Sequence, residues 1–551
     1  MVRSLLTPSD IGPSERCRLD PSAVHDLSLE PLARSLSHGA INPAAVLDVL
    51  RGLPQRTEEI AYRQAIVRVL WERPELCSRL NDALDAMQEL TVFSRSAQDI
   101  DRPLVEAVWR LGELELYVEL VERLRTLLRG VDASGLGQLR DELDARASEP
   151  DFIALKAELP GLRSGLKLHQ SVTIGVNLDD RLRPVEAALL SVNDRRYREG
   201  QILSGFLGKA IGDPYVTQTP LHRSTGSPSV SAVRVDRIPL SPLFDEIDGV
   251  LKSMLRPLAR KLRAYVAVQT DLMRTLVPEL AFYLGAVAFF RRIHAAGYPV
   301  CFPAIRDPQE RAARLTGLYN IRLADHWSVE SAGHEMVAND VTFDDAARLY
   351  VLTGPNGGGK TTFTQSIGAA LVLAQAGLPV PAEQAEFSPI DGIYTHFATE
   401  EKFSDDVGRF EDEAQRLSAL FDHVGDRSLV LLNEPLASTG PREAETIAAT
   451  VLEALGRAGC HGVLTTHLHG LAHLVGDING RIPGSEGPIG TLNAGTVVAN
   501  GRVERTFRIF TGPPTGSSYA DDIARRYRLD ADSLRARLDR GTGPARRFDQ
   551  R

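Results

Sequence analysis

The sequence predicts a multidomain chain: an all-α core and lever region carrying a small β-containing insertion, followed by an α/β phosphate-loop domain. Three observations predict it. The chain has 551 residues, too many for one hydrophobic core. Apolar residues at helical spacing dominate the first 165 positions. From about Pro303 strand-like runs alternate with helical segments around one Gly-rich loop, Gly354-Pro355-Asn356-Gly357-Gly358-Gly359-Lys360-Thr361.

In chain order, residues 1–55 form an N-terminal segment whose first residues lack the apolar core of a signal peptide. The helical core and lever occupies 56–165, where Ile60, Tyr62, Ala65, Ile66, Val69 and Leu70 recur at helical spacing. Its clearest helix runs from Pro103 to Gly130. Asp101 is its N-cap, and Leu104, Val108, Leu111, Val118 and Val121 mark one face. Residues 166–240 are a β-containing, irregular insertion. Val172, Ile174 and Val176 alternate, Asn177-Leu178-Asp179-Asp180 turns, and Val185–Val192 returns. From Asp194 to Arg237 the insertion carries Arg195, Arg196, Arg198, Lys209, His222, Arg223 and Arg234. That is either a phosphate-contacting surface or a solvated loop. Helical spacing returns over 241–302; its apolar run Leu280–Phe290 is too short for a bilayer and reads as a buried helix. The α/β domain takes 303–540 and a tail 541–551.

Composition narrows the function classes. A hydrophobic content of 43% and a charged content of 25% belong to an ordinary globular protein with no membrane role, and we expect it in the cytoplasm. The formal net charge of −9 excludes a globally basic nucleic-acid binder but not a local basic stripe. Cys17, Cys77, Cys301 and Cys460 form no C-x-x-C pair and read as buried free thiols.

The chemistry concentrates in three motifs. The loop fits G-x-x-x-x-G-K-[ST], preceded by the apolar strand Leu349–Leu352 and followed by a helix beginning at Thr362. Backbone N–H groups of Gly354–Thr362 converge on a polyphosphate, Lys360 reaches its β- and γ-phosphates, and Thr361 ligates Mg²⁺. ATP and Mg²⁺ are therefore the expected cofactors. The second motif is Leu429-Val430-Leu431-Leu432 before Asn433-Glu434. Glu434 is the expected catalytic base, and Asn433 stands at the metal position where phosphate-loop ATPases usually have Asp. An amide adds no charge there, so hydrolysis is expected to be slow. The third is Leu464-Thr465-Thr466-His467, whose His467 is expected to contact the γ-phosphate or the attacking water. His461 and His469 form no metal set with it.

These motifs, in this order, resemble the MutS family of DNA mismatch-repair ATPases. Val337-Ala338-Asn339 resembles the segment that lies beside the adenine there, which makes Asn339 a nucleotide-binding candidate. Pro389–Thr395 resembles the strand after the first ATPase helix, and Gly516-Ser517-Ser518-Tyr519 with Ile523-Ala524 resembles the family's C-terminal end. Tyr62-Arg63-Gln64 and the long helices resemble its core and lever. The resemblance is specific over about residues 335–530 and softer over 55–300. It implies an ATPase domain of ABC/MutS type with a C-terminal helical dimerisation segment. It also implies a homodimer with composite ATP sites and DNA as partner, bound by structure rather than sequence.

Four departures accompany it. The chain starts nearly at the helical core, without room for a mismatch-reading domain, so mismatch recognition of the usual kind is not expected. Asn433 replaces Asp. Gly408-Arg409 replaces the Ser-Thr of the segment that reaches the partner's nucleotide, with Glu413 kept. Met336 stands where an aromatic often stacks on adenine. The expected function is a DNA-binding, ATP-dependent clamp in repair or recombination. The alternatives are an ATP-binding structural clamp with little hydrolysis and an ABC-type ATPase serving a protein partner.

Overall fold

The computed structural model describes residues 4–8, 11, 14–37, 42–96, 103–132, 134–167, 171–181, 184–193, 198–199, 216–217, 271–329, 335–397, 409–482, 488–499, 502–513 and 533–535. The chain opens with β1 (Arg18–Leu19), α1 (Pro21–Asp26), α2 (Leu29–Leu36) and α3 (Pro43–Arg51). The side chains of Asp20 and Asn42 cap α1 and α3, each followed by Pro at the first helical position. The long helices follow: α4 (Thr57–Glu72), α5 (Pro74–Ser96), α6 (Pro103–Leu127), α7 (Ser134–Ala147) and α8 (Pro150–Lys167). Leu111, Val118 and Val121 of α6 are buried as their spacing predicted, and Gly130 turns the chain just beyond its end with φ 74°.

The insertion begins as an antiparallel hairpin of β2 (Ser171–Leu178) and β3 (Pro184–Asn193), with a two-residue parallel pair, β4 (Arg198–Glu199) and β5 (Val216–Thr217). Of the basic set proposed there, only Arg198 falls on a described strand; Arg195, Arg196, Lys209, His222, Arg223 and Arg234 lie outside the described residues. So do Asp101, Gly408 and the segment 514–532. Helix α9 (Asp271–Ala295) then returns. Phe282, Tyr283, Leu284, Ala286 and Val287 are all buried, because α9 packs against α2, α4 and α5. Among the described residues no helix is long and apolar enough to cross a membrane.

The last part interleaves two sheets. A small one has the order β6 (Ala304–Ile305), β10 (Gln384–Phe387), β7 (Ala313–Leu318), β8 (Asn339–Phe343). Between its strands lie α10 (Ile321–Val329), β9 (Leu349–Thr353) and α11 (Lys360–Gln375). After β10 come β11 (Gly392–Phe397), α12 (Arg409–Leu420), β12 (Leu429–Asn433), α13 (Pro441–Ala458) and β13 (His461–Thr465). The chain continues with α14 (His469–Arg481), β14 (Ile489–Ala499) and β15 (Arg502–Thr511). The large sheet has the order β1-β11-β12-β13-β9-β14-β15, parallel except for β15.

The period of two divides its faces. Leu352, Leu429, Leu431 and Val463 join the core shared with α11 and the N-terminal helices. Leu349, Val351, Val430, Leu432 and Leu464 join a second core under α12, α13 and α14. Cys17, Cys77 and Cys460 are buried and Cys301 half-buried, all four free, and burial pushes their thiols up.

Candidate nucleotide-binding site

Parallel strands present their C-terminal ends to one side, and three of them build this site. After β9 the chain turns through Gly354–Gly359 into α11. Gly354 has φ 135°, and a Cβ there would meet that of Ala494 on β14 at 2.7 Å, so no larger residue fits. Asn356 and Gly357 form the exposed tip. No side chain caps the start of α11, so its first N–H groups and the positive end of its dipole face the loop.

Lys360 is 5% exposed. Its Nζ donates to the carbonyls of Gly354 (3.0 Å) and Pro355 (3.2 Å) and lies 3.6 Å from Glu434 Oε1. Burial pulls its pKa down, and the Glu434 charge draws it back up. A buried cation within a cage of backbone dipoles fits an anionic ligand. Thr361 Oγ1 donates to Asn433 Oδ1 at 3.0 Å, bringing the two expected metal positions together. Both are neutral oxygens, suited to a hard cation that retains water and phosphate ligands. Thr362 gives its carbonyl to Ser366 Oγ and Asn320 Nδ2.

Glu434 follows β12 with φ 53°, a conformation uncommon for a side-chain-bearing residue. Its N–H donates to Thr465 O at 2.8 Å, which ties the turn to the end of β13. Its Oε2 takes the His467 N–H (3.2 Å) and sits 2.7 Å from His467 Nδ1. His467 therefore orients the carboxylate, a role beside the contact with the γ-phosphate or the attacking water expected of it. Neighbouring His469 has its pKa lowered by burial and then by the charges of Lys360, His467 and His473. His461 lies apart. It stacks on Phe343 and its Nε2 donates to Arg311 O at 2.6 Å; burial holds its pKa down to about 4. Among the described residues no group of three or more His, Cys, Asp or Glu is placed to hold a metal.

Asn339, the expected neighbour of the adenine, is tied to β15. Its Nδ2 donates to Phe507 O (3.1 Å) and its Oδ1 accepts from Ile509 N–H (2.7 Å), so both ends of the amide hold β15. That strand leans over the loop, with Phe507 (φ 55°) beside Gly359 and Arg505 beside Gly357. Neither residue was singled out in the sequence, because the strand pattern around them carries no phosphate motif. Met336 is half-buried against the core.

Glu413 of α12 joins the site from behind. It is 7% exposed and accepts from Leu436 N–H at 2.5 Å, from Ser438 Oγ, and from His396 Nε2 at 3.4 Å. Leu436 has φ 65°. Burial raises the Glu413 pKa, but the hydrogen bonds from His396, Ser438 and the Leu436 N–H outweigh it and bring it to about 2. The turn after Glu434 is thereby fastened to α12.

Comparison with known proteins agrees with this picture. The family profile of MutS domain V matches residues 350–481, from within β9 to the end of α14, and that of the MutS2 N-terminal domain matches residues 55–296. The chain is 30% identical over 231 residues to Endonuclease MutS2 of Thermus thermophilus, covering 41% of this chain and 30% of that protein. It is 25% identical over 405 residues to Endonuclease MutS2 of Latilactobacillus sakei, covering 71% and 49%. It is 34% identical over 225 residues to the mitochondrial DNA mismatch repair protein MSH1 of Arabidopsis thaliana, covering 40% and 19%. The chain thus spans half or less of the length of these relatives.

Proposed function

This chain belongs to the MutS family, and from that premise we propose that it is a DNA-binding ATPase acting in DNA repair or recombination. One observation carries the ATPase reading. Lys360, Thr361, Asn433, Glu434 and His467, spread over more than a hundred positions of sequence, meet at the ends of β9, β12 and β13. Lys360 and the loop N–H groups bind and orient the phosphates. Glu434, held by His467, accepts the proton of the attacking water. Thr361 and Asn433 would hold Mg²⁺, which supplies charge neutralisation at the phosphates when bound.

In this reading residues 303–540 form the ATPase head, 56–165 and 241–302 the lever, and 166–240 a clamp-like insertion. The protein works as a homodimer with composite sites, and closing of the heads moves the arms around DNA. Strand cleavage, named for the MutS2 relatives, is not carried over. Asn433 favours a second reading, a clamp held by ATP with little turnover, because an amide adds no charge to the metal site.

ATP binding and hydrolysis by Lys360→Ala and Glu434→Gln test the proposal. Lys360→Ala should abolish tight ATP binding. Glu434→Gln should bind ATP like the unaltered chain and lose turnover by roughly 10²–10⁴-fold, the range for a general base. Unchanged ATP binding in the first, or unchanged turnover in the second, sinks the corresponding assignment. An unaltered chain that binds ATP and scarcely hydrolyses it with or without DNA selects the second reading.

A further inference from the structure

We propose that Arg505 is a second phosphate-binding cation of the nucleotide site, seated on Gly357 and directed at the terminal phosphates of a nucleoside triphosphate. The inference rests on the nucleotide-site reading above and adds a residue that no motif contains.

The seat is built by the hairpin. Arg505 pairs with Thr496 just past the point where the β14–β15 register shifts, and Thr506 Oγ1 donates to Gly495 O at 3.0 Å. Two and four residues on, Asn339 holds Phe507 O and Ile509 N–H. The backbone on both sides of Arg505 is thus fixed over the loop. Its guanidinium lies across Gly357: a Cβ at that position would stand 2.6 Å from Nη1, 2.9 Å from Cζ and 3.3 Å from Nη2. Any side chain there would push the guanidinium away, and φ 71° independently disfavours one. The missing Cβ therefore makes room for a cation at the loop's rim. Both residues are exposed, so a ligand can reach them.

Charge explains what the cation would do. In a phosphate loop the stretch between the first Gly and the Lys wraps the phosphates, and Gly357 lies midway between Gly354 and Lys360. Lys360 is buried and shares its charge with Glu434 at 3.6 Å. Asn433 gives a metal ion no carboxylate. A carboxylate at that position would repel the phosphates but hold their metal more firmly, so with an amide there more of the phosphate charge is left for protein cations to meet. A planar guanidinium can bond two phosphate oxygens at once and does not lose its charge.

Equilibrium binding of ATP, ADP and AMP to the full chain tests this, using unaltered protein, Arg505→Ala, Arg505→Lys and Lys360→Ala. Arg505→Ala should weaken ATP by about tenfold or more, the loss expected for a charge-assisted hydrogen bond. It should weaken ADP less and leave AMP unchanged. Arg505→Lys should restore part of the ATP affinity, since it keeps the charge and loses the fork. Arg505 is exposed but makes a contact of its own in the fold, so thermal unfolding of both variants is measured beside binding, and Arg505→Ala should lose ATP affinity without a matching loss of stability. The proposal fails if Arg505→Ala binds ATP unchanged while Lys360→Ala does not, and the nucleotide-site reading then stands. It fails if the loss is equal for all three nucleotides, or if Arg505→Ala binds ATP more tightly, which would mark the guanidinium as an obstruction. Should Lys360→Ala and Arg505→Ala both bind ATP unchanged, the nucleotide-site reading falls with it.

Discussion

Asn433 is the residue on which the chemistry of this site turns. Its Oδ1 accepts from Thr361 Oγ1 at 3.0 Å and it is 7% exposed, so a carboxylate introduced there would face the same hydroxyl from a nearly dry position. Charge placed close to an ion in a poorly solvated site is worth far more than the same charge in water. Asn433→Asp should therefore lower the Mg²⁺ concentration for half-maximal ATP hydrolysis, on the order of tenfold, and raise turnover. A Mg²⁺ titration of ATPase rate measures both, and an unchanged midpoint would show that Asn433 does not face the metal. At this scale the sequence was legible wherever chemistry is local. The order Gly354…Lys360-Thr361, the apolar strand before Asn433-Glu434, and Thr465-Thr466-His467 each announce themselves within ten positions. The service of His467 to Glu434 was not legible, because it depends on a side-chain direction fixed only when β12 and β13 pair.

Elements decide how firmly those residues are held. Strands β9 and β12 were readable to within a residue, since a buried parallel strand is a continuous apolar run. The sheet of β6, β10, β7 and β8 was not, because its strands are only two to six residues long. Nor could spacing reveal that Glu413 reaches from α12 to the turn at Leu436 and Ser438. That contact carries a pH-dependent expectation. The Glu413 pKa falls on folding from its usual 4.5 to about 2. Its stabilisation is therefore complete above about pH 4.5 and is lost as pH falls from there toward 2. Glu413→Gln should flatten that acid limb and cost roughly 1–3 kcal/mol at neutral pH, the range for weakening a buried charged hydrogen-bond acceptor. Denaturant unfolding at several pH values reads both effects. Turnover should fall as well, since the released turn begins at Glu434. Equal acid limbs in the two proteins would remove Glu413 from this role.

Over the whole molecule the sequence reading divides the chain where the structure joins it. Residues 1–55 read as an unassigned leading segment, because a two-residue strand and helices of six, eight and nine residues are too short for a sequence window to single out. Yet β1 extends the large sheet beyond β11, and Leu27 lies so near α11 that a Cβ at Gly368 would come within 2.5 Å of it. The same segment holds α9 through Ser4 Oγ and Leu5 N–H on Glu279, at 2.7 and 2.6 Å. One apolar core therefore runs from the long helices to the helix that begins with Lys360. A close-packed core transmits displacement, so a nucleotide that shifts α11 has a physical route to α4 and α9. We expect ATP to change DNA affinity for this reason, and we expect the affinity itself to come from phosphates. With a net charge of −9, DNA contacts are expected only at local basic stretches of the sequence, of which Arg195, Arg196, Arg198, Lys209 and Arg223 are the candidates. Contacts of that kind release counterions and carry little base information. Binding should weaken steeply as salt rises. Matched and single-mismatch duplexes should differ by less than ~1 kcal/mol, against the ~1–3 kcal/mol per site of a base-edge reader. A four-way junction should bind more tightly than either, since its crossing strands present more phosphates to paired arms. Competition among the three DNAs at two salt concentrations, with and without ATP, measures each claim. A strong mismatch preference would overturn the phosphate argument, an affinity indifferent to ATP would break the proposed route through the shared core, and no binding at low salt would leave an ATPase that serves a protein partner.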